Sequence, residues 1–276
     1  MSQTSTISVE RISAKIRKIV FSNAPVNLIV PETVNRLRDI VKELSEDQEV
    51  QVVIFTSAVE DFYFNHFDLS QIAGFPNELN AEGNSVWTDL VIQLAKAPFI
   101  SIGLIRGRTR GGGNELSLAF DLRYASKEKA FFGQPEVGSG VIPGGGGGER
   151  LPRFIGRDRA LEVILSSEDY NAEIAEQFGW VTRTLPDSEL DAFVNDMASR
   201  LASFDKTAII AAKKQINRAT LPPDSDLQDA YKEFMESLHF PGFQPRASQF
   251  VKFLTSLGIL DLEKRLGHYI GLASKF

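Results

Sequence analysis

A run of three glycines followed by a glutamate is the pattern in this sequence that could do chemistry most directly. Gly111, Gly112 and Gly113 lie between an apolar stretch typical of a strand and residues 115–120, which favour a helix and begin with Glu115. Free N–H groups at a helix N-terminus attract anionic oxygen, and glycine lets a carbonyl oxygen approach the backbone closely. The run is also typical of a turn that packs a helix on a strand, so both interpretations stay open.

A glutamate in a second glycine-rich region is the other candidate for acid–base chemistry. Glu136 follows Pro135 in a loop after a short apolar run, and residues 144–148 are all glycine. Taken alone, a loop glutamate is more often solvated than catalytic, but two carboxyl groups around one water could share the roles of acid and base. No Gly-Lys-Ser/Thr follows a glycine run and no Gly-x-Gly-x-x-Gly occurs, which excludes the two common nucleotide-binding loops.

The composition limits the kind of site and partner. The net charge of −6 argues against sequence-independent binding of nucleic acid, which needs a basic surface. The chain has no cysteine, and His66, His239 and His268 do not stand at the spacing of metal ligands, so we predict no metal site. No apolar run approaches the roughly 18 residues of a membrane helix, and residues 1–6 lack the apolar segment of a signal peptide. We therefore expect a cytoplasmic protein that binds neither nucleic acid nor membranes.

The elements that must position these residues alternate between strands and helices. The apolar spacing after Pro31 favours a helix, and continuous apolar runs favour buried strands. This alternation predicts an α/β core over residues 1–200. Residues 201–276 favour helices, including one over residues 248–266 that ends at Gly267. The predicted strands include residues 7–10, 16–21, 51–56, 98–104 and 121–125.

Four segments together resemble the crotonase superfamily, the enoyl-CoA hydratase/isomerase family. Residues 106–125 are similar to its glycine motif, Gly-Gly-Gly-x-Glu-Leu, and residues 132–151 to its Phe-Gly-x-Pro-Glu and Ile-Pro-Gly-x-Gly-Gly-x-x-Arg-Leu. Residues 52–69 match the region that ends in Phe-Ser-Ala-Gly-Ala-Asp-Leu, and residues 175–181 match Ala-x-x-x-Gly-Leu-Val. The resemblance covers about residues 7–220. It implies the crotonase spiral of ββα units with a C-terminal helical extension.

The resemblance also implies a site with two acids and an oxyanion hole. Gly112 falls on the glycine whose N–H forms one half of the hole, and Phe67 falls on the donor of the other half. Glu115 and Glu136 fall on the two catalytic glutamates of the hydratases, and many family members keep only one of these or neither. In hydration of an α,β-unsaturated thioester, one carboxylate activates water while a proton reaches Cα. The N–H pair stabilises the enolate oxygen.

The first oxyanion-hole loop diverges from the family pattern, because His66 stands where the family has a glycine. His66 is either a third active-site group, since histidine titrates near neutrality, or a spacer that packs against the loop. We interpret Arg108 and Arg110, at variable positions of the glycine motif, as surface charges rather than contacts to an acidic substrate. Contacts to coenzyme A and its acyl group are expected from Phe64, Asn65, Asp68, Leu69 and Val26.

These inferences predict a hydro-lyase that acts on an enoyl thioester in fatty acid metabolism. Coenzyme A is expected as part of the substrate, and no other cofactor is implied. The C-terminal region, residues 201–276, is expected to pack subunits into a homotrimer or a dimer of trimers, with docking on its own subunit as the alternative. Other chemistry on the same fold stays open: a double-bond isomerase, a hydrolase of β-diketones, or an enzyme acting on a non-CoA substrate. A non-catalytic member that binds RNA or a protein partner is the third hypothesis.

Overall fold

The strands of the protein form two separate sheets. The computed structural model describes residues 5–76 and 78–273. A six-stranded sheet has the order β1-β2-β3-β4-β6-β9, and a three-stranded sheet has the order β5-β7-β8. The strands are β1 (Thr6–Arg11), β2 (Ile16–Ser22), β3 (Val52–Ser57), β4 (Ile100–Ile105), β5 (Arg108–Arg110), β6 (Leu122–Ser126), β7 (Phe131–Gly133), β8 (Asp169–Asn171) and β9 (Arg183–Leu185).

Helices fill the connections and form the whole C-terminal region. They are α1 (Pro31–Glu46), α2 (Val86–Lys96), α3 (Gly112–Leu118), α4 (Gly147–Ile155), α5 (Arg157–Ser166), α6 (Ala172–Phe178), α7 (Asp187–Ala202), α8 (Lys206–Thr220), α9 (Asp224–Ser237), α10 (Phe243–Leu257), α11 (Ile259–Lys264) and α12 (Leu266–Ala273). Short 3₁₀ helices span Leu69–Gly74 and Val137–Ser139. In the described part of the chain, no helix is both long and apolar enough to cross a membrane.

The large sheet is covered by side chains on both faces, as its continuous apolar strands require. Only β1 is antiparallel to its neighbour, and the strands from β2 to β9 in the sheet order pair in parallel. Along β3, Val53 and Phe55 pack with the core that includes α1 and α2. Val52 and Ile54 pack on the opposite side, where Leu190 of α7 joins them. Successive side chains of β3 therefore point to opposite faces of the sheet, and both faces are buried.

The small sheet brings the two predicted catalytic segments together. Strands β5 and β7 are parallel, with Arg110 opposite Gly133. Residues 111–113 continue from the carboxyl end of β5, and residues 134–136 continue from the carboxyl end of β7. Because carboxyl ends of parallel strands meet at one edge of a sheet, the glycine run and Glu136 leave the sheet side by side.

The C-terminal helices are divided differently from the prediction. The prediction of a single helix over residues 248–266 is wrong. Helix α10 begins at Phe243 and ends before Gly258, and a separate helix, α11, follows. Gly258 has φ +78°, a left-handed conformation that favours glycine and interrupts a helix. Gly267, the predicted end, lies inside α12. The division of the chain at residue 200 stays a prediction.

Candidate active site

The glycine run is required by the close packing of three segments. Gly111 has φ +50° and donates its N–H to the carbonyl of Gly133 at 3.1 Å. A Cβ on Gly111 would lie 2.8 Å from Oε1 of Glu136 and 3.1 Å from Cβ of His66. A Cβ on Gly112 would collide with the ring of Phe67. Residues 111–113 therefore form a tight turn and also one wall of the candidate site. The structural and the functional interpretation of the glycine run are thus compatible.

Two residues that line the site, Phe67 and Gly112, have backbone N–H groups that meet no acceptor in the described part of the chain. The His66 carbonyl accepts the N–H of Ile29 at 3.0 Å, and the N–H of Asp68 donates to the Ile29 carbonyl at 2.9 Å. The N–H of Phe67, between them, therefore points away from Ile29. Neither this N–H nor that of Gly112 meets an acceptor within residues 5–76 and 78–273. Two free donors beside an apolar cavity are suited to bind a developing oxyanion.

Glu115 is held as a buried carboxylate in the first turn of α3. Its side chain is in a residue only 2% exposed, and its Oε1 accepts the N–H groups of Gly145 at 2.8 Å and Gly147 at 3.1 Å. Burial raises the pKa of Glu115 above its ordinary value, while these two hydrogen bonds and the charge of Arg150 act to lower it. The second glycine run, residues 144–148, thus supplies donors that stabilise the ionised form of Glu115.

The surroundings of Glu136 are less favourable for a negative charge than those of Glu115. Its Oε2 is buried and has no hydrogen-bond partner in the described part of the chain. Burial first, and the charge of Glu115 second, raise the pKa of Glu136 to about 8. When two interacting carboxyl groups lie in different surroundings, their pKa values move apart, and one is then suited to act as an acid and the other as a base. The surroundings therefore favour a proton on Glu136 and a negative charge on Glu115, because two N–H groups and Arg150 act to lower the pKa of Glu115 whereas the charge of Glu115 raises that of Glu136.

An apolar cavity of about 480 Å³ contains both glutamates and extends away from them. Near the glutamates, the ring of Phe67 makes edge-to-face contacts with Phe75 at 5.1 Å and Trp87 at 4.8 Å between centroids. The C-terminal helices of the same chain also line this cavity. Their contributing side chains include Phe234, Met235, Phe250, Leu254, Ile259 and Leu262.

The structure brings most of the predicted site residues to this cavity, but not all of them. Those that line it are Gly112, Glu115, Glu136, Phe67, His66, Asp68 and Leu69. Phe64, Asn65 and Val26 are buried in the core instead. Phe64 stacks on Phe21 with centroids 4.6 Å apart, and the Asn65 amide donates to the Val26 carbonyl at 3.2 Å. Their contact with coenzyme A remains a prediction that their side-chain placement does not favour.

The interpretation of Arg110 as a surface charge is wrong. Arg110 is 1% exposed, and its guanidinium pairs with both oxygens of Asp169 at 2.6 and 2.7 Å. Arg108 is half-buried and donates to the carbonyls of Lys264 and Asp61. Both side chains lie next to C-terminal residues that the sequence motif does not reveal.

Two residues at the cavity were not found from the sequence. Trp87 lies in a helix whose apolar spacing alone explains its burial. Glu263 stands 197 residues after its partner His66, and no local pattern connects them. Among the described residues, no group of three or more His, Cys, Asp or Glu could hold a metal ion.

Comparison with known proteins agrees with the geometry of the site. The model of the enoyl-CoA hydratase/isomerase family matches residues 11–239. The chain belongs to this family. A short-chain-enoyl-CoA hydratase from Clostridium acetobutylicum is 30% identical over an alignment of 251 residues, and the match covers 83% of this chain and 94% of the relative. These findings confirm the predicted crotonase membership.

Solved structures agree in fold over nearly the whole chain. A Streptomyces avermitilis protein superposes with a TM-score of 0.90 at 38% identity, covering 96% of each chain. An enoyl-CoA hydratase from Mycobacterium avium subsp. paratuberculosis superposes with a TM-score of 0.79 at 25% identity, covering 90% of this chain and 100% of that one. The predicted crotonase α/β fold is therefore confirmed, including its helical C-terminal extension.

Proposed function

We propose that this protein is a hydro-lyase that adds water to, or removes it from, an α,β-unsaturated acyl thioester of coenzyme A. The observation that carries the proposal is the pair of glutamates at one cavity, in surroundings that differ for a negative charge, beside two N–H groups that meet no acceptor among the described residues. Such a pair suits a reaction that must take a proton from water and give one to carbon. The names of the family and of its relatives support coenzyme A as the thiol carrier.

The reaction divides between the named groups as follows. The thioester oxygen accepts the N–H groups of Phe67 and Gly112. Glu115 takes a proton from water, whose oxygen bonds to Cβ while the double-bond electrons move onto the thioester oxygen as an enolate. Glu136 then gives its proton to Cα, and the thioester carbonyl re-forms. The pair is reset when Glu115 loses its proton and Glu136 regains one.

The structure supports a bulky apolar acyl group rather than a short one. The cavity continues past the glutamates into a region lined by apolar side chains of α9, α10 and α11. Ile216 of α8 and Leu260 of α11 do not line the cavity and are 62% and 48% exposed, which supports the proposal that residues 201–276 pack against other subunits in a trimer or a dimer of trimers. The lack of cysteine supports a reducing compartment, which we take to be the cytoplasm.

Hydration rates should increase with acyl chain length. Each methylene buried in the cavity contributes about 0.8 kcal/mol, a factor of roughly four in kcat/KM, until the cavity is filled. Loss of enoyl absorbance, measured with 2-enoyl-CoA substrates from four carbons upward, tests this expectation and the proposed activity together. Met235→Trp, which adds bulk to the α9 wall of the cavity, should shorten the preferred chain and reduce the rate of the four-carbon substrate less than that of longer ones. An enzyme that consumes no enoyl-CoA of any length would contradict the proposed function.

The rate should fall as the pH rises through about 8. Glu136 must carry a proton to act as the acid, and burial beside Glu115 raises its pKa to about 8. Its protonated fraction is therefore high at pH 7 and is lost above pH 8. A profile of kcat/KM against pH for hydration should show this alkaline limb. A profile that stays flat to pH 10 would contradict the assignment of Glu136 as the acid.

A further inference from the structure

A buried polar bridge connects the first oxyanion-hole loop to the C-terminal helix α11. Nε2 of His66 lies 3.1 Å from both carboxylate oxygens of Glu263, which is only 3% exposed. The Asn65 side-chain amide donates to the same carboxylate at 2.9 Å. Two consecutive residues of the loop are therefore attached to one side chain of α11.

The second half of the oxyanion hole is attached to the same place. Arg110, the last residue of β5, donates from Nη1 to the backbone carbonyl of Glu263 at 2.6 Å. Its other guanidinium nitrogens are fixed by Asp169. Gly112 follows Arg110 by two residues. Glu263 thus contacts the segments that carry both hydrogen-bond donors of the hole.

The His66 ring is placed to hold rather than to transfer protons. Its Nδ1 lies 2.9 Å from the carbonyl of Phe67, and Nε2 is engaged by Glu263. With both nitrogens occupied, the ring connects the Phe67 backbone to α11. On the same helix, Ile259 and Leu262 line the apolar cavity.

We propose that His66 and Glu263 are positioning residues that fasten α11 over the acyl cavity and, through the same contact, set the direction of the Phe67 N–H. This proposal rests on the proposed function, because it assigns the Phe67 N–H to the oxyanion. A substrate whose acyl group packs on Ile259 and Leu262 stabilises α11 in its place. Binding of the acyl group in the cavity therefore also stabilises the geometry of the oxyanion hole.

The charges around His66 favour an ion pair with Glu263. Burial acts to lower the pKa of His66, but the charge and hydrogen bond of Glu263 and the hydrogen bond to the Phe67 carbonyl together raise it, against the opposing charge of Arg110. Burial would raise the pKa of Glu263, yet His66, Arg110 and Asn65 together lower it. Two further charged groups face this pair. Arg108 interacts with the charge of Glu263, and Glu136 has a pKa that is raised by burial and by Glu115 and is lowered in turn by His66.

Replacing His66 with glutamine should therefore change the pH profile as well as the rate. Loss of the imidazolium removes an influence that lowers the pKa of Glu136, so the alkaline limb should move to higher pH than in the wild type. Loss of the contact should reduce kcat roughly ten- to hundredfold through misplacement of the Phe67 N–H. Glu263→Gln should give the same two changes. Both are measured in hydration of a long-chain enoyl-CoA.

A matched control is the buried ion pair of Lys213 and Asp121, 2.8 Å apart, which contacts no residue of the oxyanion hole in the described structure. Lys213→Met should lower the melting temperature and leave both kcat and the alkaline limb unchanged. If His66→Gln lowers the melting temperature alone, with kcat and the limb as in the wild type, the pair has only a structural role and the proposal is overturned.

The imidazole signals test the pair independently of activity. The chain has three histidines, so single substitutions assign their nitrogen resonances. In the wild type His66 should stay protonated to a higher pH than a free imidazole, and Glu263→Gln should lower its titration midpoint. Identical titration of His66 in the two proteins would overturn the ion pair. An inactive wild type with the expected titration would instead contradict the proposed function and leave the pairing standing.

Discussion

Replacing Glu136 with glutamine should reduce kcat for hydration by about 10² to 10⁴-fold, with little change in KM. A positioned acid or base contributes a factor of this size, and the amide cannot deliver a proton to Cα. The fold should be retained, because Oε2 of Glu136 has no hydrogen-bond partner to lose among the described residues. Steady-state kinetics of Glu136→Gln, with its circular dichroism spectrum and melting temperature, measure both expectations.

Glu149→Gln is the matched control for this change. Glu149 is also a half-buried glutamate near Glu115 with a buried Oε2, and burial raises its pKa to about 7, but it does not line the cavity in the described structure. Its replacement should leave kcat within about twofold of the wild type, as expected for a group that does not touch substrate. Equal losses in Glu136→Gln and Glu149→Gln would show that the effect comes from buried charge in general and not from the proton donor.

Replacing Glu115 with glutamine should also reduce hydration by about 10² to 10⁴-fold, but for a different reason. The glutamine oxygen can still accept the N–H groups of Gly145 and Gly147, which now bind Oε1 of Glu115. What is lost is the negative charge that takes a proton from water. The position of the side chain is preserved, so the change tests chemistry rather than packing.

Proton exchange separates the two glutamates. A saturated acyl-CoA has no double bond to hydrate, but ionised Glu136 can take its Cα proton while the oxyanion hole holds the enolate, and a solvent deuteron then returns to Cα. The charge of Glu115 raises the pKa of Glu136, so its loss in Glu115→Gln increases the ionised fraction of Glu136. In deuterated water, Glu115→Gln should therefore retain exchange at Cα, whereas Glu136→Gln should lose it. Loss of exchange in Glu115→Gln and retention in Glu136→Gln would mean that the roles of the two residues are reversed. Mass spectrometry of the recovered thioester gives the answer.

The pairing of the two glutamates could be predicted because each one is marked by its own local motif. Gly111–Glu115 follows one strand and Glu136 follows another, and the parallel alignment of Arg110 with Gly133 brings both to the same edge. The continuous apolar runs of the large sheet were equally visible, since burial on both faces leaves no polar alternation. These features are local in sequence, and the fold only has to bring them together.

The polar bridge behind the oxyanion hole could not be predicted in the same way. His66 and Glu263 are 197 residues apart, so neither residue type nor spacing indicates that they meet. Arg110 has the sequence context of an exposed residue, and its burial depends on Asp169 and α11. The break at Gly258 was missed because an isolated glycine within an apolar pattern is compatible with a continuous helix. Long-range ion pairs and helix breaks are set by tertiary packing.

The most direct test of the central claim is analysis of the product formed from a 2-enoyl-CoA by the wild-type protein in deuterated water. If Glu115 activates water and Glu136 supplies the proton, the product carries a hydroxyl group at Cβ and one deuterium at Cα. Nuclear magnetic resonance of the purified thioester identifies both. Recovery of a compound whose double bond has moved without gaining a hydroxyl group, or of unchanged enoyl-CoA, would contradict hydration by this pair of glutamates.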